Sequence, residues 1–222
     1  MIGKGVRRRL ARAVASSQYA LALAVLLSFA APRQSDAELQ RFHRVDDLLK
    51  LLDARPGTLI ADIGAGEGFI TIPIARAVTP GGRVVAEDID EKALAKLREH
   101  ADREHLENVE IVLGTADDPH LPAQLDAALI HNAYHEMSAH EAILARIRES
   151  LRPGGRLLIV EPMHESSRGL PRAKQEANHD IEIGLVEDDL RAAGFEIQQR
   201  DADFVKFKGV AGGVWLLLAR RP

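Results

Sequence analysis

Residues 59–78, LIADIGAGEGFITIPIARAV, constrain this chain more than any other stretch. An apolar run of strand length meets Gly64, Gly66 and Gly68, and a helical pattern follows at once. A strand that ends in glycines and passes directly into a helix sets a turn of bare backbone at the carboxyl edge of a parallel sheet, where open α/β sheets bind ligands. The dinucleotide fingerprint G-x-G-x-x-G needs its third glycine one residue later, where Phe69 stands. Asp62, at the strand end, would also face a pyrophosphate as a like charge at short range. Spacing and charge together favour a ligand with no phosphate and a positive end.

The rest of the chain alternates around this turn. Apolar runs at 58–63, 83–88, 109–113, 126–131 and 156–161 are separated by helical patterns at 67–78, 90–104 and 138–151, which predicts a parallel sheet covered on both faces. Turn signals fall at Pro80-Gly81-Gly82 and at Pro153-Gly154-Gly155, each before a strand. Ahead of the first strand, Leu39, Phe42, Val45, Leu48, Leu49 and Leu52 share one helical face that ends at Pro56-Gly57. The tail departs from the alternation: a helix at 184–193 closed by Gly194, then FEIQQRDADFV and GGVWLLLARR, which predict an antiparallel hairpin at one sheet edge.

Charge is divided unevenly along the chain. Residues 1–34 carry six basic side chains and no acid; the remaining 23 basic and 33 acidic residues give the body a net charge of −10. A body of that sign repels polyphosphate, so nucleic acid is not an expected partner. The N-terminus resembles an address: a basic GKGVRRRLARAV, an apolar YALALAVLLSFA, and small residues Ser28 and Ala30 suited to cleavage after Ala30. The expected organisation is an export signal or N-terminal anchor over 1–37 and one domain over 38–222. Export to the periplasm, or membrane attachment through that segment if uncleaved, is the expected location, with the cytoplasm following if the segment is not a working signal.

Four segments now agree in order. Asp62 to Gly68, D-I-G-A-G-E-G, resembles the first motif of class I S-adenosylmethionine-dependent methyltransferases. The resemblance spans about residues 40–222 and implies a Rossmann-like, doubly wound α/β sheet of seven strands, mostly parallel with an antiparallel last strand. It implies S-adenosyl-L-methionine as cofactor, with Gly64, Ala65, Gly66 and Gly68 beside its methionine end and Asp62 near its amino group. Asp88 would take the ribose hydroxyls, with Ile89 next to it and Glu87 and Asp90 less well placed. Ala116 and Asp117, in VLGTADDPHLP, would cap the adenine, and Asn132 closes the set.

The fourth strand ends in HNAYHEM, where enzymes of this family hold the acceptor. Those that methylate nucleobase amines carry Asp/Asn-Pro-Pro-Tyr there, and this chain lacks the prolines. The segment is similar to that of a bacterial subgroup whose members often begin with an export signal. His135 is the candidate general base, with Tyr134 shaping the pocket and Glu136 orienting the imidazole. A metal is not expected: His131, His135, Glu136 and His140 are dense, but H-E-x-x-x-H is one residue too long for the zinc-protease helix. The stretch from Glu161 to Glu182 is long for a link and suits a pocket wall, with His179 placed where the subgroup carries a basic residue. A small-molecule acceptor is the expected partner. The alternatives are a protein that binds S-adenosylmethionine without transferring methyl groups and an NAD(P)-dependent reductase.

Overall fold

The computed structural model describes residues 40–222, with Phe42 and Val210 excepted. The proposed export segment lies outside the described residues. Among these, no helix is long and apolar enough to cross a membrane.

Seven strands form one sheet in the order β3-β2-β1-β4-β5-β7-β6. They are β1 (Leu59–Ile63), β2 (Arg83–Asp88), β3 (Val109–Leu113), β4 (Leu125–His131), β5 (Leu151–His164), β6 (Glu196–Lys206) and β7 (Gly212–Arg220). Strands β1 to β5 pair in parallel, and β7 enters antiparallel between β5 and β6, so it alone runs against the others. The doubly wound sheet with an antiparallel last strand is thus the observed fold. The chain leaves β1 for β2 and β3 and then returns to β4 on the other side of β1. That reversal opens a crevice at the carboxyl ends of β1 and β4.

Helices α1 (Val45–Leu52), α2 (Thr71–Ala77), α3 (Glu91–Arg103), α4 (His140–Ser150), α5 (Arg172–Ala177) and α6 (Ile183–Ala192) complete the fold. Central strands read as near-continuous apolar runs because both faces are covered. On one face Leu144 and Ile147 of α4 and Val186 and Leu190 of α6 pack with Ile63, Ile130 and Trp215. On the other, Leu48 and Leu52 of α1 and Ile74 of α2 pack with Ile60, Leu129 and Leu216. Trp215 satisfies its buried indole N–H by donating to the Ile181 carbonyl at 2.7 Å.

Three local expectations are corrected. The glycine turn occupies the chain up to Ile70, so α2 starts at Thr71 rather than near residue 67. Pro153-Gly154-Gly155 does not precede β5 but lies within it: pairing with β4 steps from Leu125–Leu151 to Ala127–Arg156, so residues 152–155 form a bulge in a continuous strand. The long link after β5 holds a short 3-10 turn, Glu165–Ser167, and the helix α5. The polar run RAKQEA carries no apolar stripe that would announce a helix.

Candidate functional site

The glycine turn bends back under itself. Gly64, Gly66 and Gly68 all have positive φ, at 70°, 54° and 91°. A Cβ on Gly64 would lie 2.5 Å from Ala133 Cβ and one on Gly68 2.9 Å from Leu97 Cγ, so protein packing accounts for both. At Gly66 a Cβ would meet nothing within 4 Å. Gly66 is therefore the glycine whose missing side chain leaves open space, and that space is the cavity. The turn is pinned from β2: Ala65 N–H donates to the Glu87 carbonyl at 2.9 Å and Gly66 N–H to Asp88 Oδ2 at 2.8 Å.

A cleft of about 310 Å³ opens at this point. One wall is Gly64 and Gly66, another Asp88 and the largely exposed Ile89, a third Thr115 and Ala116; Asn132, Glu136 and Met137 close it from the β4 side. Among the described residues, no lysine, arginine or histidine lines it. Asn132 is held in a left-handed conformation, φ 55°, where β4 ends, and its N–H donates to the Val160 carbonyl at 2.8 Å.

Carboxylates dominate the electrostatics. Asp62, buried beneath the turn, accepts the Thr71 hydroxyl at 2.6 Å. Burial pushes its pKa up to about 6 against that hydrogen bond, with the Asp88 charge adding to the rise. Glu87 is also buried and also lines the cavity; burial first, then the charge of Asp88, pushes it up to about 8. Gly114 makes room for it, because a Cβ there would overlap Glu87 Oε1.

The β4 edge is organised by Glu161 of β5, fully buried. Its Oε1 accepts the N–H groups of Ala133 and Tyr134, each at 2.7 Å, and its Oε2 lies 2.6 Å from His135 Nδ1. The three bonds hold the one-turn 3-10 helix Tyr134–Glu136. Burial works against a proton on His135, but Glu161, with Glu136 and Asp180, outweighs it and raises the imidazole pKa. Tyr134 donates its hydroxyl to Asp189 Oδ2 at 2.9 Å; burial, with Asp189, pushes the phenol up.

Of the residues singled out in the sequence, Gly64, Gly66, Asp88, Ile89, Ala116, Asn132 and Glu136 come together on the cavity wall. Asp62, Ala65 and Gly68 support the turn from behind. Asp117 accepts the Thr115 hydroxyl at 2.8 Å, and its side chain is exposed beside the cavity rather than on its wall. Tyr134 and His135 are buried, and the carboxylate within hydrogen-bond distance of His135 is Glu161, at its Nδ1, while its neighbour Glu136 stands 3.7 Å from its Nε2. Glu87, named in the sequence as a less well placed neighbour of Asp88, is on the wall as well, and Thr115, Met137 and Ile143 are wall residues that the sequence did not single out. For Glu87 a signal existed: strand alternation puts its side chain on the face opposite that of Asp88.

Comparison with known proteins finds similarity in sequence and in fold. The chain is 32% identical over 142 residues, 64% of its length, to nocamycin O-methyltransferase of Saccharothrix syringae, of which the match covers 49%. It spans about half the length of the curated relatives it matches. Its fold superposes on that of a SAM-dependent methyltransferase from Aquifex aeolicus with a TM-score of 0.68 and 18% identity, covering 86% of this chain and all of that one. It superposes also on magnesium protoporphyrin IX methyltransferase from Synechocystis, solved with bound SAM, at TM-score 0.60 and 18% identity, covering 84% and 82%. Within this shared fold, residues 60–155, which hold the glycine turn, both acidic strand ends and the HNAYHEM edge, match the family described as a methyltransferase domain.

Proposed function

We propose that this protein binds S-adenosyl-L-methionine in the cavity at the glycine turn and transfers its methyl group to a small-molecule acceptor. The observation that carries the reading is the wall itself: open space over Gly66, with Glu87 and Asp88 on the lining, Asp62 just behind, and no basic residue among the described ones to receive a phosphate. A cationic, phosphate-free ligand is drawn to the Asp88 charge on that wall, whereas a pyrophosphate would be repelled by it. The methyltransferase-domain match over the same residues, and the shared fold of a relative solved with bound SAM, support the same ligand.

When bound, the sulfonium supplies an already activated methyl group, so the chain has mainly to align the acceptor and exclude water. In this reading Asp88 holds the ribose hydroxyls, Ile89 packs on the adenine with Thr115 and Ala116 at its edge, and Gly66 admits the methionine end. Glu136, on the wall, faces the acceptor. His135 and Glu161 keep the 3-10 turn in place behind it and act as positioning residues. The same reading assigns residues 38–222 to the transferase domain and 1–37 to export or anchoring.

The test is thermal stabilisation by S-adenosylhomocysteine, compared with NAD and NADP, followed by incubation with S-adenosylmethionine and acceptor extracts. Stabilisation by the homocysteine compound alone, with a product one methylene heavier, is the expected result. The burial of His135 in its pair with Glu161 favours a second reading, a binder that does not transfer methyl groups. Stabilisation with no product from any extract selects it, and stabilisation by a dinucleotide instead rejects both.

A further inference from the structure

We infer that His135, Glu136 and His179 form a binding site for one divalent transition-metal ion of the zinc type at the rim of the cavity. Glu136 Oε1 lies 3.7 Å from His135 Nε2 and 3.5 Å from His179 Nδ1, and the three atoms are all within 4.8 Å of one another. The two imidazole rings meet edge to face at 5.4 Å. Both contacts to Glu136 are longer than a hydrogen bond. Two ligands at about 2.0–2.1 Å from a tetrahedral zinc ion stand about 3.4 Å apart, so a shift of a few tenths of an ångström brings Glu136 into range of both imidazoles, and the two imidazole nitrogens, within 4.8 Å of one another, close on the ion by the movement of exposed His179. Glu136 and His179 are both exposed and can make that shift, while His135 supplies the fixed point.

The surroundings prepare His135 as a ligand. Its Nδ1 lies 2.6 Å from Glu161 Oε2, so a proton held there by the carboxylate leaves Nε2, on the side of Glu136 and His179, as the nitrogen that can ligate. A buried carboxylate on the far nitrogen is the arrangement that fixes tautomer and ring direction in metal-bound histidines and raises their basicity. Glu161 is itself oriented by the Ala133 and Tyr134 N–H groups. His179 comes from the end of α5, in a left-handed conformation with φ 57°, a position that helices commonly give to glycine. The next residue, Asp180, is buried and accepts both the N–H and Nδ1 of His164, at 3.0 and 2.9 Å, which sets the backbone that presents His179.

Two imidazoles and one carboxylate match zinc sites that keep a position open, and they exclude a preference for magnesium or calcium, which take oxygen ligands. The set differs from the histidines weighed in the sequence. His131 packs against His43 and Phe69, and His140 lies beside Asp189 and the Tyr134 ring. Because Glu136 also lines the cavity, the ion would stand at its rim.

The test uses the full chain without an affinity tag, stripped with EDTA and dialysed. Titration with Co2+ is followed by its visible ligand-field absorption and reversed with Zn2+. Neither cofactor nor acceptor is present, so failure of this site and failure of the methyl-transfer reading are recorded separately. Saturation at one equivalent is expected, with affinity reduced at least about 100-fold in His179→Ala and in Glu136→Ala, beyond the loss that an outer partner alone produces. Both side chains are exposed, so circular dichroism should show both variants folded. Absence of saturable absorption overturns the site, and so does saturation undiminished in His179→Ala.

Discussion

Glu87 gives the sharpest quantitative check on the acidic wall. Its carboxyl is buried, and its pKa is pushed from the ordinary 4.5 to about 8, by burial first and then by the charge of Asp88. Between those values the folded protein keeps a proton that the unfolded chain has released. The stabilisation from that proton is fully present below about pH 4.5 and is lost as pH rises through about 8. At about 1.4 kcal/mol per pH unit, the ligand-free protein loses about 3 kcal/mol by pH 7 through this one group. Asp62 acts in the same direction over its own window, from 3.8 to about 6. Glu87→Gln keeps the shape and an oxygen acceptor but cannot ionise, so the Asp62 contribution cancels when variant and parent are compared. Urea denaturation from about pH 5 to pH 8 is the assay. The variant should become the more stable of the two as pH rises, the curves parting by about 2.5 kcal/mol between pH 5 and 7. Parallel curves would refute the claim that Glu87 holds its proton in the fold.

The other expectations concern single positions around the cavity. Asp88→Ala removes the acceptor for the N–H groups of Gly66 and Asp90, so a stability loss of about 1–2 kcal/mol should accompany complete loss of the thermal shift by S-adenosylhomocysteine; a shift that survives removes Asp88 from the ribose. Gly66→Ala adds a methyl group to open space at φ 54°, costing about 1 kcal/mol of stability while blocking the ligand, whereas Gly64→Ala collides with Ala133 Cβ and should unfold more readily in a melt. Equal destabilisation of the two would contradict the assignment of the open space. His135→Ala leaves the buried Glu161 with two backbone donors and no imidazole, and a loss of about 3 kcal/mol is expected in denaturation, with cofactor affinity retained. A loss below about 1 kcal/mol would mean that the pair does not hold the 3-10 turn.

What could be read from the sequence and what could not follow one physical division. Strand and helix alternation, the glycine turn, Asp88, Ile89 and Asn132 are legible because each signal lies within a few residues: a period, a missing side chain, an acid at a strand end. Partners that meet across the sheet leave no such trace. His135 reads as paired with Glu136 because they adjoin, yet Glu136 stands 3.7 Å from its Nε2, beyond a hydrogen bond, and the acid bonded to its Nδ1 comes from the adjacent parallel strand, 26 positions on. His179 reaches the same place from the end of a helix whose sequence gives little sign of being one. Glu87 lies between these cases. The pleat places it opposite Asp88 in any register, but its burial depends on Gly114, at the end of a different strand, having no side chain. A carboxylate can stand buried there only because that glycine leaves room and the fold accepts the desolvation. The charge of the wall is therefore a property of the assembled sheet edge, while the bare backbone it faces is a property of seven consecutive residues.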